Sequence, residues 1–270
     1  MNSKGKVIAV TGGGNGIGRE LVLNLLKNGS KIAAIDLNLT SLEETKSLAG
    51  EDGKNLSLHV LDIRNKSEVE LLPEKIIEKH GSIDGLINNA GIIQPFIKIN
   101  DLDYNTIEKL CNVNFYGTLY MIKTFLPYLL DRPEAHIVNI SSMGGFLPVP
   151  GQGIYGATKA AAKLFTEALY AELFDTNVRV TLVFPGAIAT NISSNSGVKI
   201  TKKMESMQKE SNLKPMPPSK AAEIIVKGME KNRYRIFVGN DSRLMDLLYR
   251  LNPKMAIKFI AKQMAILLNQ

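Results

Sequence analysis

The stretch Lys6-Val7-Ile8-Ala9-Val10-Thr11, then Gly12-Gly13-Gly14-Asn15-Gly16-Ile17-Gly18, closing some twenty residues on at Lys31-Ile32-Ala33-Ala34-Ile35-Asp36, decides the fold. The first six residues are a short apolar, β-branched run, the pattern of a buried strand. Arg19 to Asn28 carries Leu21 and Leu25 at helical spacing, and Gly29 is placed to close that helix as a C-cap glycine. Lys31 to Asp36 is a second strand that ends in an acid, 18 residues after the last turn glycine. Strand, glycine turn, helix, strand and acid make the layout of a dinucleotide-binding βαβ unit. The glycines follow T-G-x-x-x-G-x-G (Thr11, Gly12, Gly16, Gly18) instead of G-x-G-x-x-G. The physics is the same. Glycines let the backbone turn tightly and approach a pyrophosphate, and the helix N-terminus offers N–H groups and a positive dipole end.

Asp36 also bears on the cofactor. A carboxylate at the end of the second strand accepts hydrogen bonds from adenosine ribose hydroxyls and repels a 2′-phosphate. Neither Leu37 nor Asn15 is basic, so no cation stands ready for that phosphate. The expectation is NAD over NADP.

Further along, the alternation continues. Strands are predicted at 55–61, 83–88, 135–140, 178–184 and 235–238. Helices are predicted at 66–80, with Asn65 or Ser67 as cap, at 107–130, loosened near its end by Pro127, and from Tyr155 to Leu173. A further helix at 221–231 is expected to be capped by Ser219. Such alternation argues one α/β domain over residues 1–270, a Rossmann-like doubly wound parallel sheet of about seven strands with helices on both faces. Ligands bind such sheets beyond the C-terminal strand ends, and the polar motifs fall there.

One helix carries chemistry of its own. Tyr155 and Lys159 are four residues apart, so they lie on one face. A nearby ammonium favours a phenolate and lowers the tyrosine pKa, which makes a usable general acid or base. Of eight tyrosines, only Tyr155 has Lys at that offset.

Composition excludes several classes. The chain is 44% hydrophobic and 22% charged, as ordinary globular domains are. A single cysteine, Cys111, forbids an intramolecular disulfide and a Cys-rich zinc site, and fits a reducing, cytoplasmic compartment. Three scattered histidines (His59, His80, His136) give no metal-ligand spacing, so no metal is expected. No run approaches the ~20 apolar residues that span a bilayer. The net charge of +7 is uneven: from Lys199 onward there are 15 Lys/Arg against 6 Asp/Glu. A nucleic-acid partner lacks a recognition motif and stacking aromatics and ranks last.

Taken in order, T-G-G-G-N-G-I-G at 11–18, Asp62, N-N-A-G at 88–91, Asn114, Ser142, Y-G-A-T-K at 155–159 and P-G-A-I-A-T at 185–190 resemble the short-chain dehydrogenase/reductase family over nearly the whole chain. The resemblance implies that Tyr155 is the general acid in ketone reduction and the base in alcohol oxidation. It implies that Lys159 lowers the Tyr155 pKa and binds the nicotinamide ribose, that Ser142 bonds the substrate oxygen, and that Asn114 holds a water linking Lys159 to solvent. The cofactor would meet Gly12, Asn15, Gly16, Ile17 and Gly18 at its pyrophosphate. Asp36 would take the ribose, Asp62 and Ile63 the adenine, and Asn89, Ala90 and Gly91 the cofactor wall. Pro185, Gly186, Ile188 and Thr190 would cover the nicotinamide. Asn88 and Asn89 could simply cap and brace the fourth strand, and for Asn114 a buried brace is the lesser alternative. Ser141 competes with Ser142, spacing favouring the latter. Phe146 is placed on the substrate pocket wall.

The remainder is specific to this chain. Residues 191–216 are polar and Ser/Lys-rich, a candidate substrate lid. Residues 240–270 form an amphipathic helical extension, with Leu244, Leu247, Leu248 and Leu251 at helical spacing and Lys254, Lys258 and Lys262 on one stripe. They could pack on their own subunit, on a partner, or on a membrane. The expected activity is NAD(H)-dependent interconversion of a secondary alcohol and a ketone, the substrate hydrophobic. The alternatives are an NADPH-dependent ketone or 3-oxoacyl reductase, and a non-catalytic dinucleotide-binding protein. The family resemblance implies a homodimer or homotetramer through the helices near Ile107 and Tyr155.

Overall fold

In the computed structural model, residues 1–198 and 215–268 are described. Seven parallel strands form one sheet in the order β3-β2-β1-β4-β5-β6-β7: β1 Val7–Thr11, β2 Lys31–Asp36, β3 Leu56–Val60, β4 Gly85–Asn88, β5 Ala135–Ile140, β6 Val178–Pro185 and β7 Arg235–Val238. The order reverses between β1 and β4, which pair with Ile8 opposite Gly85. That reversal is the crevice where a doubly wound sheet binds ligand.

Helices cover both faces because the central strands are apolar on both sides. One core holds Ile8, Val10, Ile32, Ala34, Val138 and Val183 under α1 (Gly16–Lys27) and Pro218–Glu230. The other holds Val7, Ala9, Ile35, Leu86 and Ile137 under Leu72–His80, Thr118–Leu130 and α7, the last spanning Gly153–Glu172. Helix α1 buries Leu21, Val22, Leu25 and Leu26, each stabilising by about 1.5–3 kcal/mol. Gly29 has φ +84°, and its N–H bonds the Leu26 carbonyl at 2.8 Å, ending the helix as expected.

Four helical expectations need correction. Leu39–Leu48 (α2) went unpredicted; it buries only Leu42 and Thr45, too little to show as a periodic stripe. The segment 66–80 is two helices, α3 Lys66–Glu70 and α4 Leu72–His80, because Pro73 supplies no N–H and starts a new first turn. Asn65, not Ser67, is the cap, accepting from the Glu68 N–H. The helix at 104–130 is continuous but not uniform: α5 Tyr104–Cys111 passes through a π turn, Asn112–Gly117, into α6 Thr118–Leu130. Pro218 begins the helix before β7, α9 (Pro218–Glu230), with no side-chain cap from Ser219; the fixed φ of proline suits the first helical position.

In the lid segment, Ile192–Asn195 (α8) is a short helix, and Ile188 bridges Met216; residues 199–214 lie outside the described residues. The extension is a helix pair, α10 Asn240–Leu251 and α11 Pro253–Leu268. Ala256 and Ile260 are buried against Leu147, with Met143, Phe146, Val149, Leu248 and Tyr249 around them. The pair therefore packs on its own subunit.

Candidate active site

A cleft of about 690 Å³ opens at the C-terminal ends of β1, β2 and β4. The glycine turn forms its floor. Asn15 is extended (φ −152°), and its side chain accepts from the Gly16 N–H at 2.7 Å, starting α1. Gly12 has φ +67°, a conformation L side chains rarely adopt. Gly18 serves packing: a Cβ there would lie 1.9 Å from the Gly12 carbonyl oxygen. Gly12, Asn15, Gly16 and Ile17 line the cleft and Gly18 does not.

Asp36 lines the cleft too, its carboxylate accepting from the Gly14 N–H at 3.0 Å and the Asn38 N–H at 3.1 Å. Asp62 and Ile63 lie on the same wall. The Asp62 carboxylate, however, is clasped by Arg64, with Nε at 3.0 and 2.9 Å and Nη2 at 2.6 Å. Those bonds hold its pKa below the ordinary carboxylate value, burial opposing them. Arg64 lines the cleft and was not anticipated; an Asp-x-Arg after a strand is the signal that could have found it.

Across the cleft, the Thr11 hydroxyl accepts from the Asn89 and Ala90 N–H groups at 3.0 and 3.1 Å, and Asn89 Nδ2 donates to the Thr11 carbonyl at 3.1 Å. The N-N-A-G loop is thereby fastened to β1. Asn88 is a brace, as expected, donating to Asn139 Oδ1 at 2.9 Å. A Cβ on Gly91 would sit 3.1 Å from Lys159 Nζ and 3.2 Å from Asn114 Oδ1, so the loop's end reaches both polar side chains.

Helix α7 and the end of β5 carry the remaining groups. A Cβ at Gly144 would lie 3.5 Å from both Ser142 Oγ and Tyr155 Cε1, so serine and tyrosine flank one point. The Ser142 hydroxyl opposes the upward push of burial on the Tyr155 phenol beside it. The expected lowering of that pKa by Lys159 is not the arrangement found: Lys159 Nζ donates to the Ile140 carbonyl at 3.0 Å. Burial brings the Lys159 ammonium down to about 8. Ser141 is a brace, 3% exposed, donating to the Lys159 carbonyl at 2.8 Å. Asn114, in the π turn, is 1% exposed and fully engaged through its side chain: Oδ1 accepts from the Ile92 N–H at 2.9 Å, and Nδ2 donates to the Ile92 carbonyl at 2.9 Å and Thr158 Oγ1 at 3.1 Å.

The P-G-A-I-A-T segment divides. Thr190 lines the cleft, 3.3 Å from a Cβ at Gly16. Gly186 lies under Asp241, whose carboxylate accepts from the Ala187 N–H at 2.7 Å. Ile188 packs on the core beneath α1. Pro185 ends β6, paired with Val238. Phe146 stands apart from the cleft, edge-on to Phe184 and Phe237 at 5.4 and 6.4 Å. It lines a second cavity of about 840 Å³ between α7 and the C-terminal pair. Among the described residues there is no cluster of metal ligands and no helix long and apolar enough to cross a membrane. Two of the three histidines are not scattered: Ser57 Oγ lies 2.8 Å from both His59 Nε2 and His80 Nε2.

Comparison with known proteins agrees with this geometry. The short chain dehydrogenase family model matches residues 6–200, and the chain belongs to that family. It is 34% identical over 252 residues to SadH of Mycobacterium tuberculosis, named as an oxidoreductase, covering 92% of this chain and 91% of that one. A short-chain dehydrogenase/reductase of Burkholderia phymatum, solved with NAD, superposes with a TM-score of 0.85 at 24% identity, covering 94% of this chain and 96% of that chain. One from Burkholderia cenocepacia, solved with NADP, gives 0.78 at 25%, covering 96% and 99%. The protein is an oxidoreductase of this family, with a nicotinamide dinucleotide as the family's cofactor.

Proposed function

We propose that the protein interconverts a secondary alcohol and a ketone using NAD(H), with Tyr155 as the acid and base. The observation that carries this is that Ser142 and Tyr155 flank one point at Gly144 while Lys159, one helical turn beyond Tyr155, reaches the Gly91 end of the cleft wall. The cleft's residues fit a dinucleotide: a glycine turn with a helix N-terminus for the pyrophosphate, and Asp36 for the ribose. The bound cofactor would supply or accept the hydride. Ser142 would donate to the substrate oxygen as negative charge develops, and Tyr155 would pass its proton to that oxygen. Lys159 would bind the nicotinamide ribose once its ammonium turns from Ile140. The Asn114 side chain has no free donor, so its part in a water relay falls to its main chain in the π turn. Gly186 and Ile188 would cover the nicotinamide through their backbone, and Thr190 through its side chain.

NAD preference rests on Asp36; a lower KM for NADPH than for NADH would overturn it. A hydrophobic substrate rests on the second cavity, which Gly144 lines together with Phe146, Pro148, Val149 and Ile257. The deciding experiment is NADH titration by fluorescence, then turnover of ketones graded from 2-butanone to 2-decanone. Binding with no turnover would favour a dinucleotide-binding protein instead.

Two surfaces extend the proposal. Tyr104, Tyr116 and Leu164 are 82%, 44% and 66% exposed on α5, the π turn and α7, and support a two-fold interface there; a monomer in sedimentation would dispose of it. On the C-terminal pair, Leu244, Leu247, Leu251, Met255 and Phe259 are exposed beside Arg243, Arg250, Lys254, Lys258 and Lys262. The two acids there are engaged, Asp241 with Ala187 and Asp246 with Arg250. Apolar and basic side chains together suit an anionic lipid surface. Flotation with phosphatidylglycerol vesicles at low salt tests this; protein that stays in the aqueous fraction sinks it, and a dimer lost on Leu247→Asp assigns the surface to a second copy.

A further inference from the structure

Three consecutive residues after the N-N-A-G loop each hold a different part of the site. Ile92 exchanges both backbone groups with the Asn114 side chain, at 2.9 Å each. The Ile93 N–H donates to Ser196 Oγ, at the end of α8, at 3.0 Å. Gln94 reaches α7. Its side chain is fully buried, and Oε1 accepts from the Ile154 N–H at 3.0 Å and the Tyr155 N–H at 2.9 Å. Its Nε2 donates to the Gly151 carbonyl at 3.0 Å, and its own carbonyl accepts from Gln152 Nε2 at 2.8 Å.

The first turn of any helix has N–H groups without intrahelical partners. In most helices the preceding residue supplies the cap. Helix α7 has none: Gln152 stands at its N-cap position and makes no side-chain cap bond. The cap comes instead from Gln94, about sixty positions earlier in the chain, and one of the two N–H groups it takes belongs to Tyr155 itself.

We infer that Gln94 is a positioning residue that caps the catalytic helix from the cofactor wall and so fixes the Tyr155 phenol against Ser142 and the cleft. This rests on Tyr155 being the acid and base. With Oε1 removed, the first turn of α7 loses two buried hydrogen bonds while the rest of the helix keeps its ladder. A displacement of about 1 Å at a reacting group can cost 10²-fold in rate. Cofactor contacts at the glycine turn and Asp36 are remote from the change and stay as they were. The same segment also holds the end of α8, through the Ile93 N–H and Ser196 Oγ.

The test compares Gln94→Met, which keeps the length and loses the acceptor, with Gln94→Glu, which keeps an acceptor at a helix N-terminus. Amide hydrogen exchange of the peptide containing Ile154 and Tyr155 should quicken at least tenfold in Gln94→Met, with the C-terminal half of α7 unchanged and NADH affinity within twofold. With 2-decanone and NADH, kcat should fall 30- to 100-fold at unchanged KM for NADH. In the oxidation of 2-decanol, the alkaline rise should move to higher pH, since the Tyr155 phenol draws away from the Ser142 hydroxyl that opposes the effect of burial. Gln94→Glu should recover part of the protection and part of the rate, since it keeps the Oε1 acceptor but loses the donor to the Gly151 carbonyl. Unchanged exchange in the first turn, or full kcat in folded Gln94→Met, would overturn the inference. Should the wild type turn over neither substrate, the exchange arm still decides the cap, and the failure belongs to the proposed activity alone.

Discussion

Lys159 Nζ and the Ile140 carbonyl oxygen are 3.0 Å apart, so the ammonium four residues beyond Tyr155 is tied to the end of β5. The helix spacing brings the two side chains to one face, but burial governs both: it raises the phenol and lowers the ammonium to about 8. Ketone reduction needs the protonated phenol and the charged lysine. The reduction rate should therefore be flat through neutrality and fall above about pH 8 as Lys159 loses its proton. Alcohol oxidation needs the phenolate, which burial pushes above the ordinary tyrosine value of about 10, so it should rise only at higher pH. A pH profile of kcat/KM in both directions checks this, and reduction undiminished at pH 9.5 would count against it.

Ser141 and Ser142 should separate cleanly. Ser142→Ala removes the group beside the Tyr155 phenol and should lower kcat by about 10²–10³, with NADH binding intact. Ser141→Ala removes a buried hydrogen bond to the Lys159 carbonyl and should cost about 1 kcal/mol of stability, with kcat within a few-fold. Steady-state kinetics and thermal melts on both variants give the contrast.

Asp36→Ala takes the carboxylate from the Gly14 and Asn38 N–H groups. KM for NADH should rise at least tenfold while that for NADPH falls. Arg64→Ala frees Asp62 from its clasp and should weaken both cofactors less than twofold if Arg64 only braces that wall. A large loss confined to NADPH would instead make Arg64 a phosphate ligand.

Gly18→Ala tests the packing of α1 on the glycine turn. Its Cβ would meet the Gly12 carbonyl at 1.9 Å, so backbone must shift. We expect about 3 kcal/mol of lost stability, a fall in Tm on the order of 10 °C, and weakened NADH binding from the displaced turn.

His136 sets an acid limit. Burial, then the N-terminal charge and Arg179, lower its pKa to about 3. Between pH 6.5 and about 3 the unfolded chain binds this proton and the folded one does not. Stability present above pH 6.5 is thus lost on acidification, by about 1.4 kcal/mol per pH unit from this group. Denaturant melts from pH 7 to 4 should show the slope, reduced in His136→Asn.

Much of this was legible in the sequence because strand and glycine patterns are local. The run from Lys6 to Asp36 holds its own periodicity, turn and acid, and the strands at 135–140 and 235–238 appear where expected. What was not legible depended on contacts distant in the chain. Phe146 has aromatic partners on β6 and β7 that draw it from the cleft. Gln94 is an ordinary polar residue in the sequence, since nothing near it says that its amide will meet a helix sixty positions later. The face that Asn114 presents follows from a π turn, which has no strong local signature.

That turn, Asn112–Gly117, has a consequence for how this chain can vary. It holds extra chain within one helix, so residues before and after it keep a phase that an even α-helix would not give. Deleting one residue there would let the hydrogen-bond ladder close uniformly with the downstream phase nearly kept, whereas deleting one just beyond it would rotate everything downstream by about 100°. Met121, Ile122, Phe125 and Leu129 would swing from the sheet toward solvent. A one-residue deletion is therefore tolerated at the π turn itself and barred in the regular helix that follows it.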